Sequence, residues 1–165
     1  MYQANSKVLS LSQLCQEVER KKAQGKRMVF TNGCFDFLHW GHVRYLEGAR
    51  SLGDFLVVGI NSDESVEGLK GPARPIFSQG HRAELIAALA CVDYVTVFSE
   101  PTACQLIEAL RPEVYVKGGD YKKVESLPEA GAVMKYGGEI KLLPGADGIS
   151  TTQILEAIAS GKGKL

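Results

Sequence analysis

The sequence predicts an α/β protein, a Rossmann-like, doubly wound parallel sheet of five strands with helices on both faces. Three observations carry this prediction. Short apolar runs alternate with stretches of helical periodicity along the 165 residues, the pattern of a parallel sheet. One run, Phe55-Leu56-Val57-Val58-Gly59-Ile60, is too uniformly apolar to have a wet face, as in strands covered on both sides. The glycine-, histidine- and hydroxyl-bearing segments fall after strands, where open α/β sheets bind ligands.

Residues 1–8 read as a loose arm. Ser10 or Ser12 caps a first helix to about Gln24, with Leu11, Leu14 and Val18 near helical spacing and Gly25 as its stop. Residues 27–32 form the first strand. A helix runs from about His42 to Leu52, ended by Gly53. After the strand at 55–60, Asp63 to Gly68 forms a short helix, and Leu69 to Ser78 is a loop rich in Gly and Pro. Arg82 to Ala90 is a helix and Tyr94 to Phe98 a strand. Ser99 caps a helix over Thr102 to Leu110 with Pro101 in its first turn. Val114 to Val116 is a short strand, Ser126 to Tyr136 a helix and Ile140 to Leu143 the last strand. Ser150-Thr151-Thr152 starts the final helix, through Ala159.

Composition bounds the function. Hydrophobic residues make up 45%, as in globular proteins. Lys plus Arg and Asp plus Glu both number 19, which gives no support for a nucleic-acid surface. Cys15, Cys34, Cys91 and Cys104 show no paired spacing and read as reduced thiols. MYQANSKVLS holds no apolar signal region, and no run approaches a membrane span. The expectation is a cytoplasmic protein with no nucleic-acid or membrane partner. It is one domain over 1–165, with an N-terminal arm and helix at 1–24 and a core at 25–160.

The richest stretch is Phe30 to His42, FTNGCFDFLHWGH. Two histidines sit where a strand hands over to a helix. Free N–H groups and the positive dipole end of that helix make a site for a phosphate anion. Gly41 lets backbone approach closely, and two imidazoles add donors. A histidine pair packed at a helix start is the plain alternative. A zinc site using Cys34, His39 and His42 is the other, but it lacks a convincing fourth ligand.

Three further stretches carry chemistry. Lys70 and Arg74, in the Gly/Pro-broken loop, and Arg82, in the helix after it, are cations suited to polyphosphate. Lys117-Gly118-Gly119-Asp120-Tyr121 follows a strand, so its glycines let backbone approach a ligand that Lys117 and Asp120 contact. Ser150-Thr151-Thr152 is a helix cap whose hydroxyls and N–H groups also suit phosphate.

Gly33-x-Phe35-Asp36-x-x-His39-x-Gly41-His42 resembles the signature of the nucleotidyltransferase superfamily with an HxGH motif, which includes cytidylyltransferases. The resemblance covers about residues 25 to 158. Thr31 to His42, Ile60 to Asp63, LKGxxRP (Leu69 to Pro75), VKGGDY (Val116 to Tyr121) and Ser150 to Thr152 look most like the branch that adenylylates D-glycero-β-D-manno-heptose 1-phosphate. Gly80-His81 departs from the acidic residue and Gln often found before the arginine.

That resemblance implies transfer of AMP from ATP to a sugar 1-phosphate, giving an ADP-sugar and pyrophosphate for lipopolysaccharide core precursors. It implies catalysis by His39, His42, Lys70 and Arg74. The nucleotide would be held by Thr31, Asn32, Gly33, Cys34, Phe35, His39, Gly41, His42, Arg82, Lys117, Gly118, Asp120, Ser150, Thr151 and Thr152. The sugar phosphate would meet Asp36, Asn61, Lys70, Arg74 and Tyr121. Mg²⁺ is expected on the phosphates, with at most one carboxylate such as Asp36, which equally suits bracing the loop; no dedicated protein metal site is expected. A homodimer is expected from the family. Alternatives are CTP with glycerol 3-phosphate, a catalytically silent nucleotide-binding module, and a structural or partner-binding α/β domain.

Overall fold

A computed structural model describes residues 4–118, 123–144 and 150–161. Its strands are β1 (Met28–Gly33), β2 (Phe55–Asn61), β3 (Tyr94–Phe98), β4 (Val114–Lys117) and β5 (Glu139–Leu142). Its helices are α1 (Leu11–Lys22), α2 (Trp40–Arg50), α3 (Asp63–Lys70), α4 (Gln79–Ala87), α5 (Cys104–Leu110), α6 (Ala130–Met134) and α7 (Thr151–Ala159). The strands form one parallel sheet in the order β3-β2-β1-β4-β5. β1 is central, its Asn32 opposite Gly59 of β2 and its Phe30 opposite Tyr115 of β4. The chain winds outward from β1 to β3, then crosses back to β4. The carboxyl ends of β1 and β4 therefore flank the switch point where such sheets bind ligands.

β2 is buried along its whole length, as its unbroken apolar run requires. One face of the sheet packs under α1, α5 and α6 through Leu14, Val18, Leu106, Ile107, Leu110 and Val133. The other packs under α2 and α4 through Leu46, Ala49, Ala83 and Ile86. Each such side chain contributes about 1.5–3 kcal/mol when fully buried.

Several elements differ from their sequence reading. The arm is docked from Ala4: Lys7 Nζ donates to Leu89 O at 3.3 Å and Val92 O at 2.6 Å, and Leu9 N–H to Val95 O at 2.9 Å. α2 begins at Trp40 with His39 as its N-cap, so both histidines belong to its start. α3 runs on through Lys70, whose place is a helix end and not a loop. α4 begins at Gln79 because Ser78 Oγ accepts the His81 N–H. α5 begins only at Cys104, without a side-chain cap, so Ser99 does not cap it. The helix expected at 126–136 is a 3-10 turn at Val124–Ser126 followed by the short α6. Pro128 has no N–H to join the two. α7 is as expected, with Ser150 and Gln153 forming a reciprocal cap.

Candidate functional site at the carboxyl ends of β1 and β4

After β1 the chain turns sharply at Phe35, a non-glycine residue at φ 45°, in a region such side chains seldom adopt. The turn carries it from the sheet to the first turn of α2. There the His39 and His42 rings lie 3.9 Å apart, tilted by 34°, with Phe35 5.3 Å from His42. The backbone N–H of His39 donates to His42 Nδ1 at 3.4 Å. That bond leaves the neutral His42 ring its proton on Nε2, a donor. His39 Nδ1 is buried without a hydrogen-bond partner among the described residues.

Burial, then the neighbouring His39 and Lys70, push the His42 pKa down to about 4, and burial also lowers that of His39. Both rings are neutral near pH 7 before a ligand arrives. His42 ordinarily titrates near 6.5. Between the two values the unfolded chain takes up a proton that the folded protein refuses. Stability therefore falls as pH drops from 6.5 to about 4 and gains nothing from this ring above that window. The loss is bounded by about 3 kcal/mol. Urea unfolding at several pH values across this window is expected to show it in the wild type and to show much less of it in His42→Gln.

Other segments converge on the same edge. The Thr151 hydroxyl donates to Phe37 O at 3.5 Å, which sets the start of α7 beside the β1–α2 loop. Lys117 Nζ donates to Asn32 O at 3.0 Å. Burial lowers the Lys117 pKa, while the charge of Glu129 opposes it. Lys70 lies at the exposed end of α3, and its charge reaches His42 and Cys34. The two helix starts, the histidines, Lys70 and Lys117 thus surround one place.

Several residues expected to touch ligand make bracing contacts within the protein. Asp36 is 3% exposed. Its Oδ2 accepts from Arg74 Nε, and its Oδ1 from the N–H groups of Ile76 at 2.7 Å and Phe77 at 3.2 Å. Burial works to raise its pKa, but these donors hold it below the usual range. Both oxygens are engaged, so Asp36 ties down the loop at 71–78 and does not suit Mg²⁺. Arg74 keeps a buried Nη2 with no hydrogen-bond partner among the described residues. Arg82 is fully buried and gives Nε to Phe77 O at 3.0 Å, Nη1 to Cys34 O at 2.6 Å and Nη2 to Asp63 Oδ1 at 2.8 Å. It locks α4, the β1–α2 loop and α3 together, with three of its five N–H donors engaged there.

Thr31 pairs with the Tyr45 hydroxyl at 2.7 Å, Asn32 Oδ1 accepts from Tyr115 at 2.8 Å and Asn61 Nδ2 donates to Ser65 at 3.0 Å. Gly118 is required by packing: a Cβ there would lie 2.6 Å from the Tyr45 ring. Tyr45 was missed by sequence reasoning, although it follows His42 by one helical turn; its hydroxyl donates to Val116 O at 3.1 Å. Gly33 packs against Phe35, since a Cβ would approach that ring to 3.1 Å. Gly41 is buried. The Cys34 thiol is pushed up by burial, so it is protonated near pH 7 and a poor nucleophile. Among the described residues no group of three or more His, Cys, Asp and Glu could hold a metal ion. No helix among them is long and apolar enough to cross a membrane. Asp120 and Tyr121 lie outside the described residues.

With this geometry in place, comparison with known proteins adds a lineage. The family model described as cytidylyltransferase-like matches residues 30–157. The chain is 51% identical over 162 residues to the bifunctional protein HldE of Geobacter sulfurreducens, covering 98% of this chain and 33% of that protein. It is 49% identical over 156 residues to the bifunctional protein HldE of Vibrio cholerae, covering 94% and 33%. The chain thus spans about a third of the length of these curated relatives. Among solved structures, the lipopolysaccharide core biosynthesis protein from Thermoplasma volcanium is 31% identical with a TM-score of 0.61, covering 74% of this chain and 98% of that one. Pantoate-beta-alanine ligase from Francisella tularensis, complexed with an ATP ligand and beta-alanine, is 16% identical with a TM-score of 0.64, covering 91% and 76%, and shares the fold.

Proposed function

The chain belongs to the cytidylyltransferase-like family, and on that premise we propose that it transfers AMP from ATP to D-glycero-β-D-manno-heptose 1-phosphate. The products are ADP-heptose and pyrophosphate. The observation that carries the reading is the close His39–His42 pair at the start of α2, beside the switch point between β1 and β4. The sugar-phosphate branch is supported by LKGxxRP and VKGGDY in the sequence, and by the lipopolysaccharide core biosynthesis protein among its relatives.

The acceptor phosphate is already an anion, so no general base is required. One of its oxygens attacks the α-phosphorus of ATP in line. The bond from that phosphorus to the bridging oxygen breaks, and pyrophosphate leaves with the electron pair. Catalysis is then positioning and charge stabilisation. His39 and His42 hydrogen-bond oxygens of the nucleotide phosphates as charge builds there. The N–H groups at the starts of α2 and α7, with the Ser150 and Thr151 hydroxyls, hold the same phosphates. Lys70, Lys117 and the Nη2 of Arg74 balance the remaining charge. Mg²⁺ bound with the nucleotide would offset phosphate charge, and no ligand to it is assigned among the described residues.

The test is pyrophosphate release from ATP or CTP with heptose 1-phosphate or glycerol 3-phosphate. The expected outcome is turnover with ATP and heptose 1-phosphate and little with the other pairs. A preference for CTP with glycerol 3-phosphate would move the protein to another branch of the family.

A further inference from the structure

The crevice between β1 and β4 is an opening in the bonding of the sheet itself. Residues of the two strands pair at Val29–Val114 and Phe30–Tyr115. Past that point β1 runs on beside β2 to Gly33, opposite Ile60, and β4 runs on beside β5 to Lys117, opposite Leu142. The ends of β1 and β4 therefore part where the site lies. Side chains take over from the backbone ladder in joining them.

From the face that carries the histidines, the side chain spanning this gap is Tyr45 of α2. Its hydroxyl donates to Val116 O at 3.1 Å and lies 2.7 Å from Thr31 Oγ1. A tyrosine hydroxyl has one proton to give. With that proton on Val116 O, the Thr31 hydroxyl is the donor to Tyr45. Burial raises the Tyr45 pKa, against the lowering effect of the Thr31 bond, so the bridge is uncharged. Thr31 is fully buried, and its hydroxyl acts through Tyr45. The chain leaving β4 runs close against the ring, since a Cβ at Gly118 would lie 2.6 Å from it.

His42 precedes Tyr45 by one turn, on the same side of α2. Leu46 and Ala49 also seat this helix, but apolar packing has no direction. The hydrogen bonds of Tyr45 do. The bond from the His39 N–H to His42 Nδ1 is 3.4 Å long, already beyond the usual range, so a small shift of the first turn breaks it.

We propose that Tyr45 is a positioning residue: its hydroxyl holds the parted ends of β1 and β4 at a fixed width and seats the His39–His42 turn of α2 over the gap. The chemistry done by those histidines rests on the nucleotidyl-transfer reading. Removing the hydroxyl leaves the ring and its packing in place. What it frees is the placing of α2 on the strand ends. Misplacement of a catalytic group by about 1 Å costs roughly a hundredfold in rate.

The experiment compares wild type, Tyr45→Phe, Thr31→Val and the double variant, each below its Tm. Nitrogen NMR of the histidine rings reads the tautomer of His42, and pyrophosphate release gives kcat and KM. In the wild type, Nδ1 of His42 is an acceptor and Nε2 carries the proton. In each single variant the two nitrogen shifts are expected to move toward each other as the tautomers mix. kcat is expected to fall roughly tenfold to a hundredfold, with KM for ATP little changed. The double variant should be no worse than the worse single one, as for residues acting as one unit. A brace of stability alone would leave the tautomer and kcat unmoved. Wild-type nitrogen shifts in either folded single variant would overturn the proposal, and so would a raised KM at unchanged kcat, or losses that add in the double variant. One folded single variant suffices for the decision. A wild type without turnover refutes the transfer reaction, and the tautomer of His42 still decides the role of Tyr45.

Discussion

Replacing His42 by Ala is expected to lower kcat of the proposed transfer by about a hundredfold or more, the size of loss that follows removal of a transition-state donor. The Nε2 donor that the His39 N–H imposes on this ring would then be absent where charge grows on the phosphoryl oxygens. The fold should persist, because His42 is only partly buried and its neighbours Leu46 and Ala49 anchor α2 independently. KM for ATP is expected to change less than kcat. His39→Ala should behave alike, since its ring lies against that of His42. Single-turnover kinetics with matched circular dichroism would check this. Wild-type turnover in a folded His42→Ala protein would remove the histidine pair from the chemistry.

Arg82→Met is expected to cost about 3–5 kcal/mol of stability, because two part-buried carbonyls each lose a charged donor, at about 1.5–3 kcal/mol apiece. The methionine fills part of the volume but donates nothing. Cys34 O and Phe77 O would lose their hydrogen bonds from the guanidinium, while Asp63, 43% exposed, can turn to water. For a chain of this length the loss corresponds to a fall in Tm of roughly 10 °C or more. Urea denaturation measures it directly. A loss below about 1 kcal/mol, the range of an exposed pair, would mean that Arg82 does not lock the three segments. A phosphate ligand at Arg82 would predict the reverse pattern, with stability kept and KM raised.

The strands and the start of α7 were legible because their signals are local. An unbroken apolar run declares a covered strand, and Ser150 with Gln153 declares a cap within one turn. The start of α5 was not. Ser99 and Pro101 look like a cap and first helical residue, yet the segment is spent on other contacts. The Ser99 N–H meets the Glu100 carboxylate at 3.1 Å, and Glu100 O accepts from Ser65 at 3.3 Å. The gathering of the motif segments at one sheet edge was legible from their places after strands, whereas the bracing contacts among them were not. Lys70 and Arg82 look alike in sequence as cations near one loop. Only the fold brings Asp63, Cys34 O and Phe77 O around Arg82 and leaves Lys70 exposed. Asp36 is the same case, since its partners lie in a loop that the sequence alone cannot bring against it.

The measurement closest to the central claim is a phosphorus NMR time course of the full chain with ATP, Mg²⁺ and D-glycero-β-D-manno-heptose 1-phosphate. The account predicts that the α-phosphorus of ATP reappears in a sugar-nucleotide diphosphate, with one pyrophosphate released for each such product and no inorganic phosphate formed. Release of inorganic phosphate, or spectra that do not change while the protein remains folded, would contradict it.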